Sequence, residues 1–302
     1  MKKAISALIS AALVLSLSFP TYATDMSADT QVQTFNEYDY ITMLQESPVD
    51  KLEAMGLTND DVNSIVAEFE DALDRRAALS DSSLENLGYS SREISLLRAY
   101  ASGSDLSDAE LQAVTGTCTG YLAKEFCNGS SASFNYSWQW DHCPMMTFSD
   151  SAAMRWIAYD SSGHELGIIQ TDVSGIVYYW NGDIKHHSWP ATQEPNLDFN
   201  SVNMQFTVKQ TLTGSSGITI DYYAKTGTVT VEVELDENVD NEINYILVAG
   251  LYGHTTVGVG SPSIGVGIPG SVSISFSGNT SIDATGARKA KITQTGITYL
   301  DS

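Results

Sequence analysis

The chain has 302 residues, 37 of them acidic against 15 basic, for a net charge of −22. A negative field of that size excludes nucleic acid and anionic lipid headgroups as electrostatically steered partners. Both halves carry it: residues 24–115 hold 5 basic and 19 acidic residues, and residues 116–302 hold 8 and 18.

The N-terminus begins Met1-Lys2-Lys3, continues as an apolar run over residues 4–19, and reaches Thr21 and Ala23 just after Pro20. That order predicts a signal peptide over residues 1–23, cleaved after Ala23, and hence a secreted, extracellular product. The run is shorter than the ~20 residues that span a bilayer. Residues 24–35 are polar and patternless, which predicts a flexible tail.

From residue 36 to 115 the apolar residues recur at helical spacing. Val62, Ile65, Val66, Phe69 and Leu73 fall on one helix face, with Asp60, Asp61, Glu68, Glu70 and Asp71 on the other. A repeat of 32 residues organises the segment: Leu52-Glu53-Ala54-Met55-Gly56-Leu57-Thr58 returns as Leu84-Glu85-Asn86-Leu87-Gly88-Tyr89-Ser90. Gly56 and Gly88 suit left-handed helix ends, and Thr58 with Asp61 and Ser90 with Glu93 have the spacing of capping boxes. Ser107 with Glu110 repeats the device. The acidic helical segment reads as separable, a possible prosegment, and Thr115-Gly116-Thr117 as a linker.

From Ser133 the period changes to two. Phe134, Tyr136, Trp138 and Trp140 alternate with polar residues, as do Val229, Val231, Val233 and Leu235. Ten or more such strands, separated by turns, predict an antiparallel β-sandwich or barrel over residues 116–302. The fold class expected is therefore α+β in two domains, with short helices first and an all-β domain second.

Candidate chemistry is sparse. His186 and His187 are adjacent, and adjacent strand residues point to opposite faces, so one ion would not take both. Cys143 beside His142 diverges in the same way. No Ser- or metal-hydrolase signature is present. The loop Asp236-Glu237-Asn238-Val239-Asp240-Asn241-Glu242 offers oxygens for calcium but lacks EF-hand spacing, so a solvated turn is expected and no cofactor is assigned. All five tryptophans lie between Trp138 and Trp189. The core is expected to hold Trp138, Trp140 and Trp156, whereas Trp180 and Trp189 flank turns and, with Tyr252 and His254, form the candidate binding set. Residues 243–282 contain no Asp, Glu, Lys or Arg, and Ile264, Val266, Ile268 with Val272, Ile274, Phe276 flank a Pro269-Gly270 turn. That pattern suits an internal hairpin, or the membrane hairpin of a pore former. The three cysteines, Cys118, Cys127 and Cys143, allow three single bridges.

The segments Tyr136-Ser-Trp-Gln-Trp-Asp-His-Cys-Pro144, Arg155-Trp156, Tyr222-Tyr-Ala-Lys-Thr-Gly-Thr-Val229 and Tyr252-Gly-His-Thr255 resemble uncharacterised exported proteins of Gram-positive bacteria. The resemblance implies an exported helical segment followed by a β-domain and supplies no activity. Cys127 is extra to that pattern, which implies a Cys118–Cys143 bridge. The function expected is that of a secreted, non-catalytic protein whose β-domain binds a surface, a glycan or a protein partner. A membrane-active toxin or bacteriocin-like effector is the alternative, and a hydrolase of unrecognised type the second alternative.

Overall fold

The computed structural model describes residues 33–181, 187–190, 192–193, 200–213, 217, 219–255, 263–266, 274–277, 281–283 and 288–300. The expected cleavage site, residues 24–32, His186 and the Pro269-Gly270 turn lie outside them. A short strand, β1 (Gln33–Asn36), leads into the helices α1 (Glu37–Glu46), α2 (Val49–Ala54), α3 (Asn59–Ala77), α4 (Asp81–Asn86), α5 (Ser91–Ala101) and α6 (Asp108–Val114). Strands follow: β2 (Thr117–Cys127), β3 (Ser131–Trp140), β4 (Ser149–Tyr159), β5 (Glu165–Leu166), β6 (Ile168–Trp180), β7 (His187–Pro190), β8 (Thr192–Gln193), β9 (Ser201–Thr207), β10 (Lys209–Thr213) and β11 (Thr219–Leu235). The described chain ends with β12 (Tyr245–Thr255), β13 (Ser263–Val266), β14 (Ile274–Ser277), β15 (Ser281–Asp283), β16 (Arg288–Thr293) and β17 (Gly296–Leu300).

The helices form where caps and periodicity demand it. Thr58 accepts from the Asp61 N–H at 3.2 Å while the Asp61 carboxylate accepts from the Thr58 N–H at 2.8 Å. Ser90 and Glu93 repeat the exchange at 3.4 and 2.6 Å. Gly56 and Gly88 take φ of 74° and 98°, a region a side chain would strain, and so end α2 and α4. Leu52, Leu57, Val62 and Ile65 are buried, as are their partners 32 residues on, Leu84, Tyr89, Ile94 and Leu97.

The described strands build two large antiparallel sheets and a separate two-stranded pair, β13-β14. The first runs β1-β2-β3-β11-β6-β7 with β10 added to β11; the second runs β17-β16-β12-β4-β9-β8 with β15 on β12 and β5 on β4. One sheet curls into a half-barrel. Between them lies an aromatic layer: Trp138 stacks on Phe206 at 5.2 Å and on Tyr252 at 5.4 Å, and Phe134 meets Trp156 at 5.9 Å. Only glycine fits opposite Trp138, because a Cβ on Gly227 would lie 2.1 Å from the indole. In the second sheet β4 is buried on both faces from Asp150 to Ala158.

These findings overturn the α+β two-domain expectation. The protein is mainly β, and contacts join Gln31–Ser302 into one unit without a boundary at residue 116. Residues 33–35, expected in a flexible tail, belong to β1. Phe35 pairs with Cys118 on β2, is 8% exposed, and lies 6.2 Å from the Trp140 ring. Burying the first strand and the helix that follows it ties the helical segment to the β-body. Period analysis separates local elements; it does not reveal that both kinds share one core.

Candidate functional site

The most concentrated ionic chemistry is internal. Glu37 opens α1, Asp150 lies at the start of β4 and His254 near the end of β12, and none of the three is exposed. His254 Nε2 is 3.0 Å from Glu37 Oε1, and its Nδ1 is 3.0 Å from Asp150. Glu37 also accepts the backbone N–H groups of Met145 at 2.7 Å and Met146 at 3.0 Å. Asp150 accepts the Thr255 N–H at 3.0 Å and a short bond from the Tyr252 hydroxyl, which itself accepts from Trp140 Nε1 at 2.9 Å.

Burial opposes a charge on His254, yet the Asp150 charge and the hydrogen bonds to Asp150 and Glu37 push its pKa up to about 10. It is therefore an imidazolium clamped between two carboxylates at neutral pH. Burial and the Asp150 charge raise Tyr252 well above the ordinary phenol range, so it stays protonated as a donor.

A second buried cation sits close by. Arg76 on α3 donates to Tyr89 Oη at 2.6 Å, Cys143 O at 3.0 Å and Pro144 O at 2.9 Å. Burial opposes its charge too, but neighbours including Glu37 raise its pKa further above the ordinary value. Burial lifts the Cys143 thiol to about 11 against the opposing Arg76 charge, so it is no thiolate nucleophile. His142, its neighbour, turns instead to Asp141 at 3.0 Å and packs on Tyr89.

Three of the four sequence-predicted binding residues have described side chains, and these have interior or seam positions. Tyr252 and His254 are fully buried and unavailable to a surface ligand. Trp180 is half-buried against Gly88, whose Cβ would lie 2.9 Å from the indole, with Lys225 Nζ 3.6 Å from its ring centre. Trp189 sits on β7 opposite Val177, and its side chain lies outside the described residues. Cys118, Cys127 and Cys143 are buried and each is a free thiol in this structure, the expected Cys118–Cys143 pair included. Cys118 occupies the row of Phe35 and Trp140 on the sheet, whereas Cys143 lies beyond that strand with its Sγ 3.8 Å from Arg76. In the calcium candidate loop, Asp236 accepts the Asn238 N–H at 2.9 Å and so closes a turn. Among the described residues no group of three His, Cys, Asp or Glu is gathered as a metal site.

The first sheet has a second, very different face. Residues directly opposite in antiparallel strands share a face, so the registers of β2, β3, β11 and β6 define three rows. They are Thr119-Gln139-Thr226-Tyr178, Tyr121-Ser137-Thr228-Ile176 and Ala123-Asn135-Thr230-Ser174. These alternate with the buried Leu122, Phe134, Tyr136, Trp138, Val229 and Val231, so they form the outer face. None of the twelve is Asp, Glu, Lys or Arg, in a chain of net charge −22. Ser137 donates to Thr228 at 2.9 Å, and Asn135 donates to Glu125 at the margin at 3.1 Å. At the usual strand spacing the array covers about 14 Å in each direction.

Architecture and site together define an internally cross-linked β-body with one uncharged, hydroxyl- and amide-bearing face. No protein-family model and no curated protein matches the chain. Among solved structures it is similar to AvmM, described as catalysing macrocyclization in alchivemycin A biosynthesis. That likeness has 11% identity over 60% of this chain and 89% of that one, with a TM-score of 0.21.

Proposed function

We propose that the protein is an exported, non-catalytic carbohydrate-binding protein and that the outer face of the first sheet receives the glycan. The carrying observation is the uncharged array of Tyr121, Asn135, Ser137, Gln139, Thr226 and Thr228 on an otherwise acidic molecule. Sugars present hydroxyls and apolar ring faces; amides and hydroxyls pair with the first, and a tyrosine ring covers the second. The ionic cluster at His254 supports the non-catalytic part. Its groups are enclosed and hydrogen-bonded to one another, which suits holding a structure rather than turning over a substrate. The N-terminal Lys-Lys start, apolar run and Thr21-x-Ala23 site support export.

The test is a glycan array probed with secreted protein, followed by calorimetric titration of the best glycan. Tyr121→Ala and Gln139→Ala should each weaken binding at least tenfold without moving the melting temperature. No glycan bound, or binding indifferent to both substitutions, would overturn the assignment. A membrane-active effector remains a second reading, favoured by the separate antiparallel pairing of β13 with β14, with Ile264 opposite Phe276. Dye release from liposomes would select it.

A further inference from the structure

The two copies of the helical repeat differ in one functional respect, and the difference points to a binding groove. Shifted by 32 residues, α1-α2-α3 corresponds to α3-α4-α5. Pro48 and Ser80 both precede their helices at φ −67° and ψ 156°, and Met55 and Leu87 close theirs within about 1° of each other in φ and ψ. In the second copy the notch between the helices is filled by the chain's own Arg98. Its guanidinium donates to Ala77 O at 2.5 Å, to Leu79 O, and to Asp81 at 2.6 and 2.9 Å.

In the first copy the residue at that position is Val66, too short to reach across. The result is a groove of about 380 Å³, lined by Leu44, Ser47, Leu52, Asn59, Val62 and Val66 among others. The carbonyls matching those of Ala77 and Leu79 belong to Gln45 and Ser47, and no described residue donates to them. They end α1, whose last turn holds no basic residue to offset the negative end of its dipole. Asp39 and Glu46 line the adjoining recess, with Lys51 at its rim directing its ammonium to Met43 Sδ at 3.6 Å.

The corner beside the groove is also uncovered. In the second copy Leu87 is buried, and its carbonyl accepts the Cys143 N–H at 3.0 Å. In the first, Val49 is 54% and Met55 36% exposed, two of the five large apolar side chains so exposed among the described residues.

We propose that the first-copy groove binds an arginine side chain from a basic segment of a protein partner. The guanidinium lies on the Gln45 and Ser47 carbonyls as Arg98 lies on those of Ala77 and Leu79. The aliphatic stem packs on Leu44 and Val66, and an apolar neighbour of the arginine covers Met55. This interaction is independent of the glycan face, being on the helices.

The probe is acetyl-Leu-Arg-Leu-amide, titrated into the full mature chain and followed by amide chemical shifts, alongside its citrulline and lysine counterparts. The arginine peptide should give saturable shifts confined to residues 44–49 and 59–66, with both counterparts at least tenfold weaker. Val66→Arg should fill the groove from within, abolish those shifts and raise the melting temperature. The assignment is overturned if the arginine peptide gives no saturable shifts, or if citrulline or lysine binds as well. It also fails if the Val66→Arg chain, shown folded by circular dichroism, still takes the peptide.

Discussion

The two ends of the β-body are held by opposite kinds of polar contact. At the helix-bearing end, Glu37 reaches His254, 217 residues away, and Arg76 reaches Cys143 and Pro144, all of them buried. At the other end the polar contacts are mostly within single turns, joined by an Asn241 amide that donates to Asp160 at 3.0 Å. Asn128 accepts from the Ser130 and Ser131 N–H groups at 2.8 Å, Asp160 from Ser162 at 2.8 Å and His164 at 2.9 Å, and Asp236 from Asn238. A local turn bond lost to substitution is replaced by water. A buried ion that loses its partner has no such recourse, so the same chemical change costs far more at the first end.

The largest effect should therefore come from Glu37→Leu. It leaves the Met145 and Met146 N–H groups unpaired and takes one of two carboxylates from a buried imidazolium. A loss of about 3–5 kcal/mol is expected in urea unfolding. A loss below ~1 kcal/mol would mean that the two ends are not different in kind.

The pH dependence should separate the ends by sign. His254 has its pKa raised from 6.5 to about 10, so its contribution is complete below the unfolded value and declines as pH rises from there toward 10. Asp160 has its pKa lowered, chiefly by the His164 N–H, so its contribution is present above the ordinary carboxylate range and declines on acidification. Melting temperature followed from pH 6 to 10 should fall in the wild type and be flatter in His254→Gln. Identical slopes would remove the imidazolium from the account.

Asn128→Ala, at the turn end, should cost about 1 kcal/mol. Asp236→Ala, on an exposed turn, should shift the melting temperature least. Either one approaching the effect of Glu37→Leu would break the contrast.

That contrast also explains what was legible in the sequence. The capping boxes at Thr58 and Ser90, the glycine corners and the alternation from Phe134 to Trp140 are local devices, written within a few residues. Glu37 reads as an ordinary first-turn acid and Asp150 as one more surface carboxylate, since nothing local tells of a histidine two hundred residues away. The outer face of the first sheet was half-legible. The alternation marks Asn135, Ser137 and Gln139 as outward, but only the strand order β2-β3-β11-β6 places them beside Tyr121, Thr226 and Thr228.

The central claim is that helices and sheets unfold as one body, and the chain supplies its own two probes. All five tryptophans lie between Trp138 and Trp189, in the β-region, whereas the helices described all precede Gly116. Urea unfolding of the protein should thus be followed at once by tryptophan fluorescence and by helical circular dichroism at about 222 nm. Coincident transitions with a single midpoint are the predicted result. A helical signal that melts at lower urea, with the tryptophan signal still native, would contradict it.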